Sequence, residues 1–323
     1  MNTMIKWILL FLIPFLSFGQ EYNAFAKAES LYKAGKYQKA KPIFESYLKS
    51  HPNNLRVIEY LGDIEGYAKR WDAAIPYYKT LIEKDVRNPD YHYKYGGVLG
   101  MKALEVNKFT ALTMIGDIKE AFEMAATLDP KHIEVRWALV EFYIQLPSIV
   151  GGSIKKAQNY ADELLRISEV DGYLAHGHIA DYNDNPKDAE RFFKKALSVG
   201  GSVTCYEKLS DHYEKNGVPE KSQSTLKKAQ EVHKTSNRLH YQFGKIAGQY
   251  GIGLDQGIAC LNQYIKNYTV KDSVPKDWAY FRLAQIYKHK GDKEAALSWI
   301  NKALSDRNNF KEAIAEKKKI LSI

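Results

Sequence analysis

Long apolar runs are nearly absent from this 323-residue chain. The one exception, residues 7–18, is too short to cross a bilayer as a helix, and Pro14 interrupts it. Lys6 precedes the run, and Ser17 and Gly19 stand three and one residues before Gln20. This is the pattern of a secretory signal peptide over residues 1–19, cut between Gly19 and Gln20, with a retained signal anchor as the alternative. No cysteine sits directly after the run, which excludes a lipid-modified N-terminus. Removing 19 of the 323 residues leaves 304, expected to be exported, periplasmic or secreted, with no membrane span.

Cysteine is also scarce. Cys205 and Cys260 are the only two, 55 residues apart, in helical patterns of different kinds. They are read as two buried free thiols, with a single bridge as the alternative. Sequence signatures of catalysis are missing as well: no HExxH, no CxxC, no nucleophile elbow, and no GxGxxG placed after a strand. His176 and His178 lie two apart and point to nearly opposite faces of a helix. His178 with Asp181 makes the one workable pair, too few for a zinc site. The reading is therefore no enzyme, no cofactor and no metal.

The formal charge is +9, or +8 without Lys6, but the lysines are scattered over polar helix faces. Together with export, this argues against a nucleic-acid partner. What the chain has in excess is tyrosine, 23 against 13 phenylalanines and 5 tryptophans. Such side chains, apolar in body and polar at the tip, suit helix interfaces and binding surfaces alike.

The chain also has a period. Ala40 and Ala74 lie 34 apart in matching segments, with Phe44 opposite Tyr78 and Tyr47 opposite Leu81. "PKDAERFFKKAL" and "PEKSQSTLKKAQ" match at a spacing of 33, aligning Ala189 with Ser222, Phe193 with Leu226 and Ala196 with Ala229. "KEAALSWINKAL" repeats the pattern with Ala296, Ile300 and Ala303. Each such segment follows another amphipathic stretch, for example Tyr206, Leu209 and Tyr213, or Tyr280, Leu283 and Tyr287. Gly217 and Gly291 then close the first helix of a pair.

These residues resemble the tetratricopeptide-repeat family, whose unit is two antiparallel helices in about 34 residues. Leu61-Gly62 and Tyr95-Gly96 match its Leu-Gly pair, and Pro52 and Pro130 its closing proline. The resemblance implies an all-α fold, a right-handed α-solenoid of about eight helical hairpins. They span 21–54, 55–89, 90–132, 133–169, 170–202, 203–236, 237–274 and 275–308 within residues 20–308, with a capping helix over 309–323. Units three, four and seven depart in length, unit three through "EVNKFTALTMIGD".

The resemblance also implies a concave groove lined by the first helix of each unit. Position by position, it offers Tyr22, Phe25, Glu29 and Tyr32, then Arg56, Glu59 and Asp63, then His178, Asp181, Glu207 and Asp211. Arg238, Tyr241 and Lys245 follow, and finally Trp278, Phe281 and Lys288. Aromatics at both ends with an acidic stretch between suit a protein or peptide partner bound by a non-catalytic scaffold. The turn "LPSIVGGS" carries Gly151, Gly152 and Ser153 ahead of a helix beginning at Ile154, with Lys155 and Lys156 beside it. It lacks the strand and the glycine–lysine pattern of a phosphate loop, and reads as a long turn or as an anion-binding one. Similar turns occur in the T-component of periplasmic solute transporters, which supplies the alternative function of a small-solute-binding accessory subunit.

Overall fold

A computed structural model describes residues 23–269, 272 and 274–322, so the expected signal peptide and Tyr22 lie outside the described residues. The chain divides into two compact units, one ending at Tyr160 and the other beginning at Ala161. Among the described residues every regular element is helical.

The first unit contains α1 (23–33), α2 (Tyr37–Ser50), α3 (Leu55–Tyr67), α4 (Trp71–Lys84), α5 (Pro89–Glu105), α6 (Lys108–Leu128) and α7 (Ile133–Gln145). A short 3-10 turn (Ser148–Val150) leads into α8 (Ile154–Ile167), which the unit boundary crosses. The second unit continues with α9 (Glu169–Tyr182), α10 (Pro186–Gly200), α11 (Val203–Lys215), α12 (Pro219–Val232), α13 (Asn237–Tyr250), α14 (Leu254–Asn267), α15 (Lys276–His289), α16 (Lys293–Asp306) and α17 (Lys311–Leu321).

Local chemistry sets the helix ends. Asn54, Asn107, Ser202 and Asp292 cap α3, α6, α11 and α16, their side chains accepting the N–H of Val57, Thr110, Cys205 and Ala295 at 2.9–3.3 Å. Asn88 and Asn185 cap α5 and α10, each followed by a proline that starts the helix with its φ already suited. In several pairs the first helix is closed by a left-handed residue: Gly217 and Gly291 stand at φ +69° and +75°. Lys69 and Asp184 hold φ +56° and +53° at equivalent turns without a glycine's freedom.

Four helix pairs cross where one side is bare. An added Cβ at Gly62 would stand 3.1 Å from the Tyr78 ring. At Gly96 it would stand 2.8 Å from Phe122, at Gly177 2.6 Å from Phe193, and at Gly244 2.2 Å from Leu261. The α11–α12 pair uses two serines instead, Ser210 and Ser222, whose buried hydroxyls lie 2.7 Å apart. A large side chain thus rests directly on the backbone of its partner helix, and the crossing is tight. The core is consequently a succession of clusters rather than one body, as in repeat architectures. One gathers Ala28, Ala40, Phe44, Leu61 and Ile64, and the next Ile58, Ala74, Tyr78, Leu81 and Tyr91. In the second unit the same role falls to the clusters around Leu226, Leu261 and Ile300. Helix α17 closes the series with Ala313 and Ile320, fully buried against α16 and its neighbours.

Gly244→Ala should destabilise the protein by about 1–3 kcal/mol, because Leu261 has nowhere to retreat. Gly97→Ala, on α5 with nothing within 4 Å of the new methyl, should be neutral or stabilising by about 0.5–1 kcal/mol. Urea-denaturation midpoints of the two variants check both outcomes.

Candidate binding surface

The first helices of successive pairs are joined by polar bonds that recur at a fixed sequence offset. In the first unit Tyr32 donates to Asp63 Oδ2 at 2.9 Å, and Lys94 donates to Asp63 Oδ1 and Oδ2 at 2.9 and 3.0 Å. Tyr32, Asp63 and Lys94 lie 31 residues apart in turn, on α1, α3 and α5. Tyr78, from α4, donates to Asp63 Oδ1 at 2.7 Å. Lys94 also donates to Glu59 at 2.6 Å. A second rung pairs Glu29 with Tyr60, again 31 apart, at 2.6 Å. Arg56 extends that rung: it ion-pairs with Glu29, donates to the Tyr60 hydroxyl at 3.0 Å, and lies over the Phe25 and Tyr60 rings.

These contacts fix the protonation states. Burial, and then the Asp63 carboxylate, push the Tyr32 and Tyr78 phenols well above their ordinary value, so both remain donors. Burial works against the charged form of Lys94, but Asp63 and Glu59 outweigh it and the pKa stands raised. The Tyr60 hydrogen bond holds the Glu29 carboxyl below its ordinary value, with Arg56 adding to it and burial opposing.

The second unit repeats the scheme. Asp181 and His212, 31 apart on α9 and α11, meet at 2.6 Å. Glu207 and Arg238, with the same offset on α11 and α13, form an ion pair. Lys245 reaches Glu214 at 2.6 Å and Asp211 at 3.8 Å. Lys288 of α15 pairs with the buried Glu316 of α17. Burial raises the Glu207 pKa, with Arg238 pulling the other way.

Of the residues expected in a groove, the structure therefore ties most to one another. Tyr32, Arg56, Glu59 and Asp63 gather in the first unit; Asp181, Glu207, Asp211, Arg238, Lys245 and Lys288 form rungs in the second. Phe25, His178 and Trp278 are half-buried. Two expectations are corrected. Tyr241 and Phe281 are only 5% and 4% exposed, so neither is open to a partner. The bare backbone at Gly248 lets α15 come close, since an added Cβ would stand 2.9 Å from the Arg282 carbonyl, and Tyr241 is sealed beneath. Phe281 is covered by Phe310, whose ring centroid is 5.4 Å away. Sequence reasoning missed Lys94, Tyr60, His212 and Glu316; the signal that finds the first three is a complementary polar residue 31 positions from one already chosen.

The glycine turn is self-contained. The N–H groups of Gly151, Gly152 and Ser153 donate to the carbonyls of Ser148, Pro147 and Tyr143 at 2.9–3.2 Å. Gly151 is left-handed at φ +103°, and a Cβ at Gly152 would collide with the Leu146 carbonyl. Ser153 Oγ accepts the Lys156 N–H at 3.3 Å, as the start of a helix requires. None of the three N–H groups is left over for an anion. Cys205 and Cys260 are buried and unbridged. Among the described residues no three metal-ligating side chains come together.

A carboxyl with a depressed pKa stabilises the fold above its unfolded value, here 4.5, and loses that contribution as pH falls through the lower folded value. Thermal melting should therefore drop as the solution is acidified from about pH 5 to about pH 3. In Tyr60→Phe, which removes the bond holding Glu29, the drop should be smaller. Melting curves of the two proteins across that range are the check, and equal slopes would contradict the assignment.

Models of the tetratricopeptide repeat match residues 25–85 and 279–310. No curated protein sequence matches the chain. Among solved structures, a tetratricopeptide-repeat protein from Parabacteroides merdae is 16% identical, with a TM-score of 0.52 over 93% of this chain and 98% of that one. YrrB, described as a TPR protein with an unusual peptide-binding site, is 20% identical with a TM-score of 0.42, covering 61% of this chain and 98% of its own. The first of these likenesses carries the fold. Repeat models thus place tetratricopeptide repeats at residues 25–85 and 279–310, one match in each of the two units, and helix pairs between these spans cross in the same way at Gly96, Gly177 and Gly244.

Proposed function

We propose that the protein is a non-catalytic scaffold that holds a protein or peptide segment against the first-helix faces of its repeats. The observation that carries this reading is that, within each unit, partly exposed charged side chains are held in place by repeat-to-repeat bonds. Arg56 is 57% exposed yet braced by Glu29 and two aromatic rings; Asp211 and Arg238 are 54% and 44% exposed and braced by Lys245 and Glu207. Pre-placed charges and half-buried aromatics recognise an extended segment at little ordering cost. The scaffold acts in the cell envelope: the apolar run ahead of Gln20 supports export, and no helix among the described residues is long and apolar enough to cross a membrane.

Arg56→Ala combined with Asp211→Ala and Arg238→Ala removes the exposed charges and leaves Tyr241 and Phe281 in the core. Affinity capture from an envelope extract should lose at least one protein held by the unaltered chain, while circular dichroism stays the same. An unchanged set of captured proteins would remove this face as the binding surface.

A further inference from the structure

The third hairpin departs from its neighbours at one end only. Helix α3 has five residues beyond Gly62, whereas α5 has nine beyond the matching Gly96. Helix α4 has seven residues before Tyr78, whereas α6 has fourteen before the matching Phe122. Beyond these two crossing residues the opposite ends are equal. All the added length therefore lies at the hairpin tip, which stands about 6–10 Å past the neighbouring turns at 1.5 Å per residue. The turn itself is only Val106–Asn107, and it raises large apolar side chains into solvent. Leu104 is 79% exposed and Phe109 85%, with Met101 and Leu112 below them. The next hairpin turn places Ile149, 92% exposed, at the same edge. Helices α6 and α7 are joined by a four-residue turn and run antiparallel, so the chain returns there.

That edge is also charged with one sign. Its turns are linked: the Tyr37 and Tyr67 rings stack 4.9 Å apart, and Lys102 bonds Asp72 at 2.5 Å. The four hairpin turns of the first unit (33–39, 66–72, 102–108 and 147–156) carry nine lysines and arginines against two carboxylates. The linking turns at the opposite edge (49–55, 83–90 and 128–134) carry four against five. In the second unit the hairpin turns (182–188, 214–220, 249–255 and 288–294) carry five against seven. Protruding apolar side chains and a basic rim thus coincide in one place and in neither comparison set.

We propose that this edge of the first unit seats on an anionic lipid bilayer, with Leu104 and Phe109 inserted among the acyl chains and the surrounding lysines against the headgroups. An isolated apolar tip gains by leaving water, and the rim gains from the negative surface potential. The rim's contribution is lost at a neutral surface, and the tip's is lost where there is no apolar phase to enter. The proposal is independent of the groove on the first-helix faces, and its test involves no protein partner.

The test is flotation of the chain from Gln20 onward, which keeps every described residue, with two kinds of vesicle. One is phosphatidylcholine alone; the other contains about 30 mol% phosphatidylglycerol to supply the negative surface. Binding should appear with the anionic vesicles only and fall as ionic strength rises. Leu104→Asp combined with Phe109→Asp should weaken it about tenfold or more, since insertion strength scales with buried apolar area. Ile314→Asp with Leu321→Asp, on the exposed apolar side chains of α17, should leave it unchanged. In Phe109→Trp the indole emission should shift to the blue with anionic vesicles and be quenched by brominated lipid. No binding to anionic vesicles, equal binding by the tip variant, or a tip that instead mediates self-association on light scattering would overturn the proposal.

Discussion

What builds this fold is a close crossing between two helices, made in four of its pairs where a large side chain lies on a stretch of bare backbone. Tyr78 on Gly62, Phe122 on Gly96, Phe193 on Gly177 and Leu261 on Gly244 are four instances of one contact. Each brings the axes near enough for the flanking alanines to pack, and each fixes the rotation of one helix against the other. Once the rotation is fixed, so is the face that the first helix offers to the next pair. The polar rungs follow from that placement. Residues 31 apart meet because a step of one repeat, about 34 residues, less one helical turn brings adjacent first helices level.

The rungs change what the exposed face can do. A carboxylate such as Asp63, which accepts from Tyr32, Tyr78 and Lys94, has little capacity left for a ligand. Its role is to align three repeats. Arg56 is the opposite case: its bonds steady it while much of the guanidinium remains in solvent. A binding face in such a solenoid therefore comprises those members of the ladder that keep an open side. Surface ion pairs add little net stability, so the value of the ladder is geometric. The hairpin tip at Leu104 and Phe109 lies outside this scheme, which is why it asks for a separate explanation.

Much of the fold was legible in the residues because the contact that builds it has a simple signature. Alanine at 40 and 74, the Leu61-Gly62 pair and the Tyr206–Leu209–Tyr213 stripe mark helices, crossing and spacing at once. Less of the surface was legible. Tyr241 and Phe281 occupy positions beside the core stripe, and their burial depends on what the neighbouring helix does. Gly248 lets α15 settle onto α13, and Phe310 folds back over Phe281. Periodicity within one helix carries no record of that approach. The extra residues of unit three show the same limit: their number was plain, but not that they lengthen both helices. The one local sign was Asn107, a cap for α6 that leaves room for only a two-residue turn.

The central claim is that the crossing is a steric lock between a bare backbone and one large side chain. A double-mutant cycle at Gly177 and Phe193 addresses it directly. Gly177→Ala adds a methyl 2.6 Å from the Phe193 ring, and Phe193→Leu removes the part of the ring that it meets. The account predicts that the double variant is more stable than the sum of the single effects requires, by about 1 kcal/mol or more in urea denaturation. Strict additivity of the two substitutions would contradict it.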